Sequence, residues 1–190
     1  MLPIGPLMIE HRLIERMISL IRQELERIQA NVLVDPEFAF VDPVFIDTAV
    51  DFIRTYADRC HHGKEEDILF AALAEKDLSP EHKKIMDELV AEHRWARETT
   101  AKLVKAKEGL LLDRKDALSD LLKHLKDLVD FYPRHIEKED KHFFFPCLEY
   151  FTPGEKAGLL EKMYEFDRLM IHEKYRQVVE QIETRRACRI

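Results

Sequence analysis

The chain has 190 residues, of which 46% are hydrophobic and 35% are charged, and its formal net charge is −7 at pH 7. This length suits a single domain with a sizeable core, while the negative charge and the lack of a Lys/Arg-rich patch argue against nucleic acid as the main partner. No apolar run approaches the roughly 20 residues of a membrane span, and the N-terminus has no signal-peptide pattern. We therefore expect a cytoplasmic protein without a membrane partner, whose three widely spaced cysteines are reduced thiols.

Apolar residues at helical spacing predict five helices along the chain, and no strand-like alternation is present. In chain order, the predicted helices cover about residues 7–30, 44–75, 80–108, 114–146 and 152–183. The segment Asn31–Pro43 is predicted to be a loop because it contains two Asp-Pro pairs. Ser79-Pro80 is a helix-starting pair, Gly109 is a natural stop, and the segment Thr152–Glu155 is a capping box.

Five helices of these lengths predict an all-α fold. We expect residues 1–150 to form an antiparallel, up-down-up-down four-helix bundle. Residues 151–190 are expected to add a C-terminal fifth helix that packs on the bundle and ends in a frayed tail, 184–190. The whole chain is therefore predicted to be a single domain.

The chain contains an internal repeat, in which an E-H-R triplet is followed by the pattern H-x-x-x-E-D-x-x-F. The first copy consists of Glu10-His11-Arg12 and the segment 62–70. The second copy consists of Glu92-His93-Arg94 and the segment 135–143. Two matched halves that supply ligands in pairs are a usual way for a four-helix bundle to surround two metal ions.

Helical rise tests whether the repeated histidines can meet, because each residue advances an α-helix by about 1.5 Å. On this count four histidines fall at one level of the bundle to within about 6 Å: His11, His62, His93 and His135. Glu66 and Glu139 each follow a histidine by four residues and so share its helix face. A single pair of this kind is more often a solvated ion pair, but the duplication and the shared level favour a metal site. Mixed histidine and carboxylate ligands suit iron, manganese or zinc.

These residues resemble the hemerythrin-like, or HHE cation-binding, domain family. The similarity covers about Pro3 to Leu148 and rests on the stretches Ile9–Arg12, His61–Phe70 and His135–Asp140. The resemblance implies an antiparallel four-helix bundle that holds a non-heme centre of two iron ions joined by an oxo or hydroxo bridge. It also implies that His11, His62, His93 and His135 are terminal ligands and that Glu66 and Glu139 are bridging carboxylates.

Two departures from the oxygen-carrying hemerythrins concern the third and fourth helices. The third helix of those proteins has an H-x-x-x-H pair, whereas Leu89 and Arg97 stand four residues on either side of His93 here. Their last carboxylate is an aspartate five residues after the histidine, an offset that Asp140 occupies beside Glu139. Reversible dioxygen binding therefore stays an open question at this point.

His172, in the predicted fifth helix, is a further candidate metal ligand. Its height differs from the common level by one or two helical turns, so a covering role without ligation is the alternative. His61 and Glu65 lie one residue away from the predicted ligand face, so we expect them to be exposed or to support the ligands, with an extra carboxylate ligand as the alternative for Glu65. Tyr132 shares a face with His135 and is interpreted as a core residue, the alternative being a hydrogen bond to the site or metal ligation.

Three functions fit this pattern. The first is a metal-binding protein that binds or senses a small oxidant, namely dioxygen, nitric oxide or peroxide, at an open carboxylate-bridged site. The second is an enzyme that decomposes peroxide or reduces nitric oxide, and the third is a module that reports iron status to a partner. Four histidines and two carboxylates underfill two six-coordinate irons, which leaves room for a ligand. No dedicated general acid or base is evident in the sequence, so binding or sensing is favoured over turnover.

Overall fold

The computed structural model describes residues 1–34, 40–168 and 171–187, and within these residues it contains helices and no strands. Six helices follow one another: α1 (Gly5–Val34), α2 (Pro43–Phe52 continuing to Ala71–Ala74), α3 (Pro80–Leu111), α4 (Ala117–Lys138 continuing to Phe144–Cys147), α5 (Pro153–Asp167) and α6 (Ile171–Ala187). A 3₁₀ turn at Leu148–Tyr150 separates α4 from α5. The predicted all-α fold, a helical bundle with a C-terminal addition, is confirmed.

Two of the bundle helices contain π-helical stretches, which the sequence analysis did not predict. They are Ile53–His62 and Glu65–Phe70 in α2 and Glu139–Phe143 in α4. A π-helix bonds each amide to the carbonyl five residues earlier, so its turn is wider and neighbouring residues differ less in direction than in an α-helix. The π-helical stretches therefore change which residues of the repeat can share a face.

Local sequence sets the helix ends. The carboxylate of Asp42 accepts hydrogen bonds from the first amides of α2, and the hydroxyl of Ser79 accepts one from the amide of His82 in α3. The predicted capping box between Thr152 and Glu155 is present. The end of α3 differs from the prediction, because the helix continues past Gly109 to Leu111 and the reversal uses Asp113, whose φ is 52°.

The interior of the bundle contains two apolar clusters, one toward each end. The larger cluster includes the apolar face of α1 from Leu13 to Ile28, the first half of α2 and most of α4. The smaller cluster contains Leu7 of α1, Phe70 of α2 and Phe143 of α4. The repeated histidines lie between the two clusters, so the polar layer is closed off by apolar side chains on both sides.

The C-terminal region, predicted as one fifth helix, forms two helices. Leu159 and Met163 of α5 pack in the smaller cluster, whereas Tyr175 and Val179 of α6 pack in the larger one. Residues 184–187, predicted to fray, belong to α6, and residues 188–190 lie outside the described residues. The C-terminal pair of helices thus covers the bundle on both sides of the histidine layer.

Two further expectations concern cysteines and membranes. Cys60 and Cys147 are buried free thiols, and Cys188 lies outside the described residues. Among the helices that the structure describes, none is long and apolar enough to cross a membrane.

Candidate metal centre

The layer between the two apolar clusters contains five buried histidines and two buried glutamates. They are His11 from α1, His61, His62 and Glu65 from α2, His93 from α3, and His135 and Glu139 from α4. These side chains form two groups, in each of which the potential ligand atoms lie within 4.8 Å of one another. One group, the three-histidine group, consists of His62, His93 and His135. The other, the two-histidine group, consists of His11, His61, Glu65 and Glu139.

Glu139 spans both groups with its two carboxylate oxygens. Its Oε2 atom lies 3.2 Å from Nε2 of His11, and its Oε1 atom lies 3.2 Å from Nε2 of His135. A carboxylate with one oxygen toward each group is placed to bridge two metal ions.

Glu65 spans the groups in the same way. Its Oε1 atom lies 3.4 Å from Nε2 of His61, and its Oε2 atom lies 3.4 Å from Nε2 of His93. Glu65 and His61, which were expected to be exposed or supporting, are both buried in the layer. The π-helical geometry of α2 accounts for this, because it lets adjacent residues such as His61 and His62 both point inward.

The structure does not bring Glu66 into either group. Its Oε1 atom lies 2.7 Å from Nδ1 of His93, on the outer side of that ring, and accepts a hydrogen bond of 2.8 Å from Nη2 of Arg97. The predicted bridging position of Glu66 is thus taken by Glu65, one residue earlier. Glu66 instead holds the ring of His93 in place.

The ligand atoms of this layer face one another at 3.2–3.4 Å or more without hydrogen-bond geometry. The Nε2 atoms of all five histidines, and all four carboxylate oxygens of Glu65 and Glu139, are buried without a hydrogen bond in the described part of the chain. Buried polar atoms are normally paired, because leaving one unpaired costs roughly 1–3 kcal/mol. Nine such atoms in one layer fit a site for metal ions, and a mixture of imidazole and carboxylate donors suits iron, manganese or zinc.

Four of the five imidazole rings are held by a carboxylate on a different helix. The Nδ1 contacts are His11 to Asp140 at 2.8 Å, His61 to Glu10 at 2.8 Å, His93 to Glu66 at 2.7 Å and His135 to Glu92 at 2.7 Å. A carboxylate at Nδ1 favours the tautomer that leaves Nε2 unprotonated and fixes the ring orientation. His62 is the exception, because its Nδ1 atom makes no hydrogen bond in the described structure.

These contacts give the internal repeat a different register. His61, Lys64, Glu65 and Glu66 occupy the same structural positions as His135, Lys138, Glu139 and Asp140. The matching pattern is H-x-x-K-E followed by an acidic residue. The triplets Lys64-Glu65-Glu66 and Lys138-Glu139-Asp140 are the sequence signal from which this register could have been identified. The sequence pattern matched His62 with His135, whereas the structure matches His61 with His135, one residue earlier.

The two buried carboxylates of the layer have pKa values shifted in opposite directions. Burial and the charge of Glu139 raise the pKa of Glu65 well above its usual value. Burial also opposes ionisation of Glu139, but His135 and His11 lower its pKa well below the usual value. The two carboxylates therefore resist ionising together in the metal-free protein. A divalent cation between them would remove that conflict, as opposite charges favour the ionised form.

His172 lies outside both groups. Its Nδ1 atom is 3.0 Å from the hydroxyl of Tyr56, and its Nε2 atom is 2.8 Å from Oδ1 of Asp167. It is grouped instead with Glu10, Cys60 and Asp167. The break between α5 and α6 sets its height, which a count along one continuous helix could not give.

The cluster around His172 already contains a cation. The ammonium group of Lys64 is fully buried between Glu10 and Asp167, and its Nζ atom lies 2.6 Å from Oδ1 of Asp167. Burial lowers the pKa of Lys64, but the charge of Glu10 outweighs it and the pKa is raised. This cluster is therefore an ion-pair network behind His61, in which the ammonium group of Lys64 already supplies a positive charge.

Both histidine groups lie in a segment that is similar to a known protein family. The family model of the hemerythrin HHE cation-binding domain matches residues 2–144. The chain belongs to the hemerythrin HHE cation-binding domain family. The matched segment contains both histidine groups and ends before α5, so His172 lies outside the hemerythrin domain. No curated protein and no solved structure matches the chain.

Membership of the hemerythrin family implies cation binding, and the two buried groups are the places in the described structure where hemerythrin-type ligands converge. All seven layer residues come from the four helices of the hemerythrin domain. The C-terminal helices α5 and α6 contribute no ligand atom to either group.

Proposed function

We propose that this protein binds two iron ions in the histidine layer and uses them to bind or sense a small oxidant. The observation that carries the proposal is the set of nine buried ligand atoms without hydrogen-bond partners. Family membership supports iron among the metals that imidazole and carboxylate donors accept.

The proposed ligands follow the two groups. One iron is assigned the three nitrogens of His62, His93 and His135, and the other is assigned the nitrogens of His11 and His61. Glu65 and Glu139 are proposed to bridge them, since each carboxylate reaches both groups. This assignment replaces Glu66 with Glu65, adds His61, and leaves His172 out of the ligand set.

The unequal number of histidines favours ligand binding at one end of the site. The two-histidine group supplies one nitrogen fewer, so a metal there retains more room for an external ligand. When bound, iron at this position supplies the capacity to coordinate and exchange electrons with dioxygen, nitric oxide or peroxide. The protein's share is to fix the donors on four helices and to leave that position unfilled by a side chain.

Aromatic packing keeps water away from the site. Phe144 stacks on His11 with ring centroids 5.6 Å apart, and Phe70 stacks on His93 at 6.1 Å. These rings belong to the smaller apolar cluster, and Phe144 and Phe70 are both buried. A dry environment strengthens electrostatic interactions between the carboxylates and bound cations and limits side reactions.

Metal analysis with optical spectroscopy tests the proposal. Protein produced with iron supplied is expected to contain two iron ions per chain, and anaerobic addition of dioxygen or azide should change its charge-transfer bands. His62→Ala should lose the iron of the three-histidine group, whereas His142→Ala, which changes an exposed histidine outside the layer, should keep both ions. Wild-type protein with one iron or none under these conditions would contradict the two-iron centre.

A further inference from the structure

A small cavity lies beside His62, the one ring of the histidine layer whose Nδ1 atom makes no hydrogen bond to a carboxylate in the described residues. It has a volume of about 100 Å³ and lies between α2, α3 and α4, where His62, Ala96 and Tyr132 line its inner part. Asp58 and Arg97 line its outer part. A water molecule needs roughly 10–15 Å³ of such space, so the cavity has room for more than one small molecule.

Two unpaired polar atoms border this cavity. The hydroxyl of Tyr132 and the Nδ1 atom of His62 are both buried, and neither has a hydrogen-bond partner in the described part of the chain. Asp58 is nearest to the ring, but its Oδ1 atom lies 3.4 Å from Nδ1 without hydrogen-bond geometry. Two buried polar groups that lack partners indicate that the cavity is occupied by something that forms hydrogen bonds.

The protonation of the two groups defines what that occupant must do. Burial raises the pKa of the Tyr132 hydroxyl, which therefore stays protonated and can donate or accept. The Nδ1 atom of His62 carries the proton when Nε2 faces a metal, so it donates. The occupant must accept at least one hydrogen bond and gains more if it can also donate.

The charged side chains of the cavity, Arg54, Asp58 and Arg97, lie at its outer part, where Arg54 is exposed to solvent. The Nε atom of Arg97 donates to Oδ1 of Asp58 at 2.6 Å, and its Nη2 atom donates to Glu66. The hydroxyl of Thr100, which also lines the cavity, already donates to the carbonyl of Ala96. Arg97 is paired with carboxylates and Arg54 is exposed to solvent, so no free charge faces the inner part beside Tyr132 and His62, which favours a neutral molecule over an anion.

We propose that this cavity binds a small uncharged hydroxylic molecule, with hydrogen peroxide as the oxidant of that class, held between the hydroxyl of Tyr132 and Nδ1 of His62. Dioxygen would leave both groups without strong partners, which costs free energy in a buried site. The reaction of bound peroxide with the iron centre rests on the proposed function. The cavity itself is a property of the metal-free chain.

The first test measures the cavity without any metal. Ala96→Val adds two methyl groups into the cavity, so the metal-free variant should unfold within about 2 °C of the wild type. Ala49→Val adds the same groups at a fully buried position in the larger cluster and is the matched control. Overpacking costs roughly 1–3 kcal/mol, and each kcal/mol is about 2–4 °C for a chain of this size, so the control should lose several degrees. Equal losses in both variants would mean that no cavity exists at Ala96.

The second test looks for the occupant directly. A crystal structure of the zinc-loaded protein is expected to show electron density within about 3.2 Å of both Tyr132 Oη and His62 Nδ1. Water has the same hydrogen-bonding groups as peroxide and stands in for it here. A cavity without density would contradict a hydroxylic site.

The third test separates the oxidants in the ferrous protein. Stopped-flow oxidation by hydrogen peroxide should slow about tenfold in Ala96→Val and several-fold in Tyr132→Phe, while oxidation by dioxygen changes less than twofold. Ala49→Val should change neither rate. Equal slowing with both oxidants would overturn the assignment to peroxide. Failure of the wild type to load iron would overturn the proposed function. The first two tests would still show whether the cavity exists and whether it holds a hydroxylic molecule.

Discussion

The Nδ1 atom of His61 lies 2.8 Å from Oε2 of Glu10, a residue of the preceding helix. His135 has the equivalent contact, at 2.7 Å, with Oε2 of Glu92. The glutamates of the two E-H-R triplets thus each hold the histidine of the next helix. The triplet's own histidine provides its Nε2 atom to one of the two groups, so both residues of each triplet belong to one layer through different helices.

With two further contacts, the carboxylates that hold the rings connect each of the four bundle helices to the next. Asp140 of α4 contacts His11 of α1, and Glu66 of α2 contacts His93 of α3. Every pair joins two helices, so ring orientation and helix packing depend on each other.

Substitution of the two adjacent glutamates of α2 should have different effects. Glu65→Ala should lose both iron ions, because its carboxylate reaches both histidine groups. Glu66→Ala should keep iron with an affinity reduced about 10–100-fold, since loss of a residue that supports a ligand has effects of this size. Elemental analysis and competition with a chelator measure both. The ligand assignment is wrong if Glu66→Ala is the variant that empties the site.

Two histidine substitutions separate the layer from the C-terminal cluster. His61→Ala should release the iron of the two-histidine group and leave about one iron per chain. His172→Ala should keep both ions and an unchanged optical spectrum, because its ring contacts Tyr56 and Asp167 instead of the layer. Full iron content in His61→Ala would show that this ring is not a ligand.

The buried ion pair behind His61 should matter for stability more than its half-exposed counterpart. In the metal-free protein, Glu10→Gln leaves the buried ammonium of Lys64 without its closest carboxylate. Losing one partner of a buried pair costs about 3–5 kcal/mol, although Asp167 would offset part of this. Glu92→Gln, whose partner Lys138 is 27% exposed, should cost about 0–1 kcal/mol beyond the loss at His135. Urea unfolding measures both, and equal losses would contradict the argument.

Removal of the metal should lower the thermal midpoint but leave the helices in place. Ligands from four helices meet in the layer, so binding stabilises the folded state by mass action. The two apolar clusters do not depend on the metal and should keep the helical content. Circular dichroism before and after chelation measures both quantities. A fully unfolded metal-free chain would contradict the second expectation.

The metal-free protein should lose stability between pH 6.5 and about 9. Burial lowers the pKa of His11, but Asp140 and Glu139 outweigh burial and raise it from 6.5 to about 9. In this window the folded chain holds a proton that the unfolded chain lacks, so stability is present below pH 6.5 and decreases as pH rises through 9. Metal binding must displace the same proton, so affinity should increase over the same range.

The difference in thermal midpoint between metal-loaded and metal-free protein measures this linkage. It is expected to be larger at pH 9 than at pH 6.5. A difference that stays constant across the window would show that His11 is not protonated in the metal-free protein or is not a ligand.

The amino-acid sequence alone determined the architecture of this protein. The apolar spacing along α1 and the capping residues Asp42, Ser79 and Thr152 act within a few residues, so their effects can be read from the chain. Counting helical rise placed His11, His62, His93 and His135 at one level, and the structure places these four rings in one layer. Axial height is predictable because it depends on residue number and little else.

Tertiary structure decided which neighbouring side chains of α2 point into the histidine layer and where His172 of α6 lies relative to that layer. In α2, π-helical turns place Glu65 instead of Glu66 in the layer and point both His61 and His62 inward. No local sequence pattern predicts these turns. The position of His172 depends on the break between α5 and α6. For the residues of α2, the direction of a side chain around the helix axis changes with every irregular turn, whereas its height along the axis hardly changes. Rotation about the axis is therefore fixed by packing against the other helices, not by the spacing of residues along the chain.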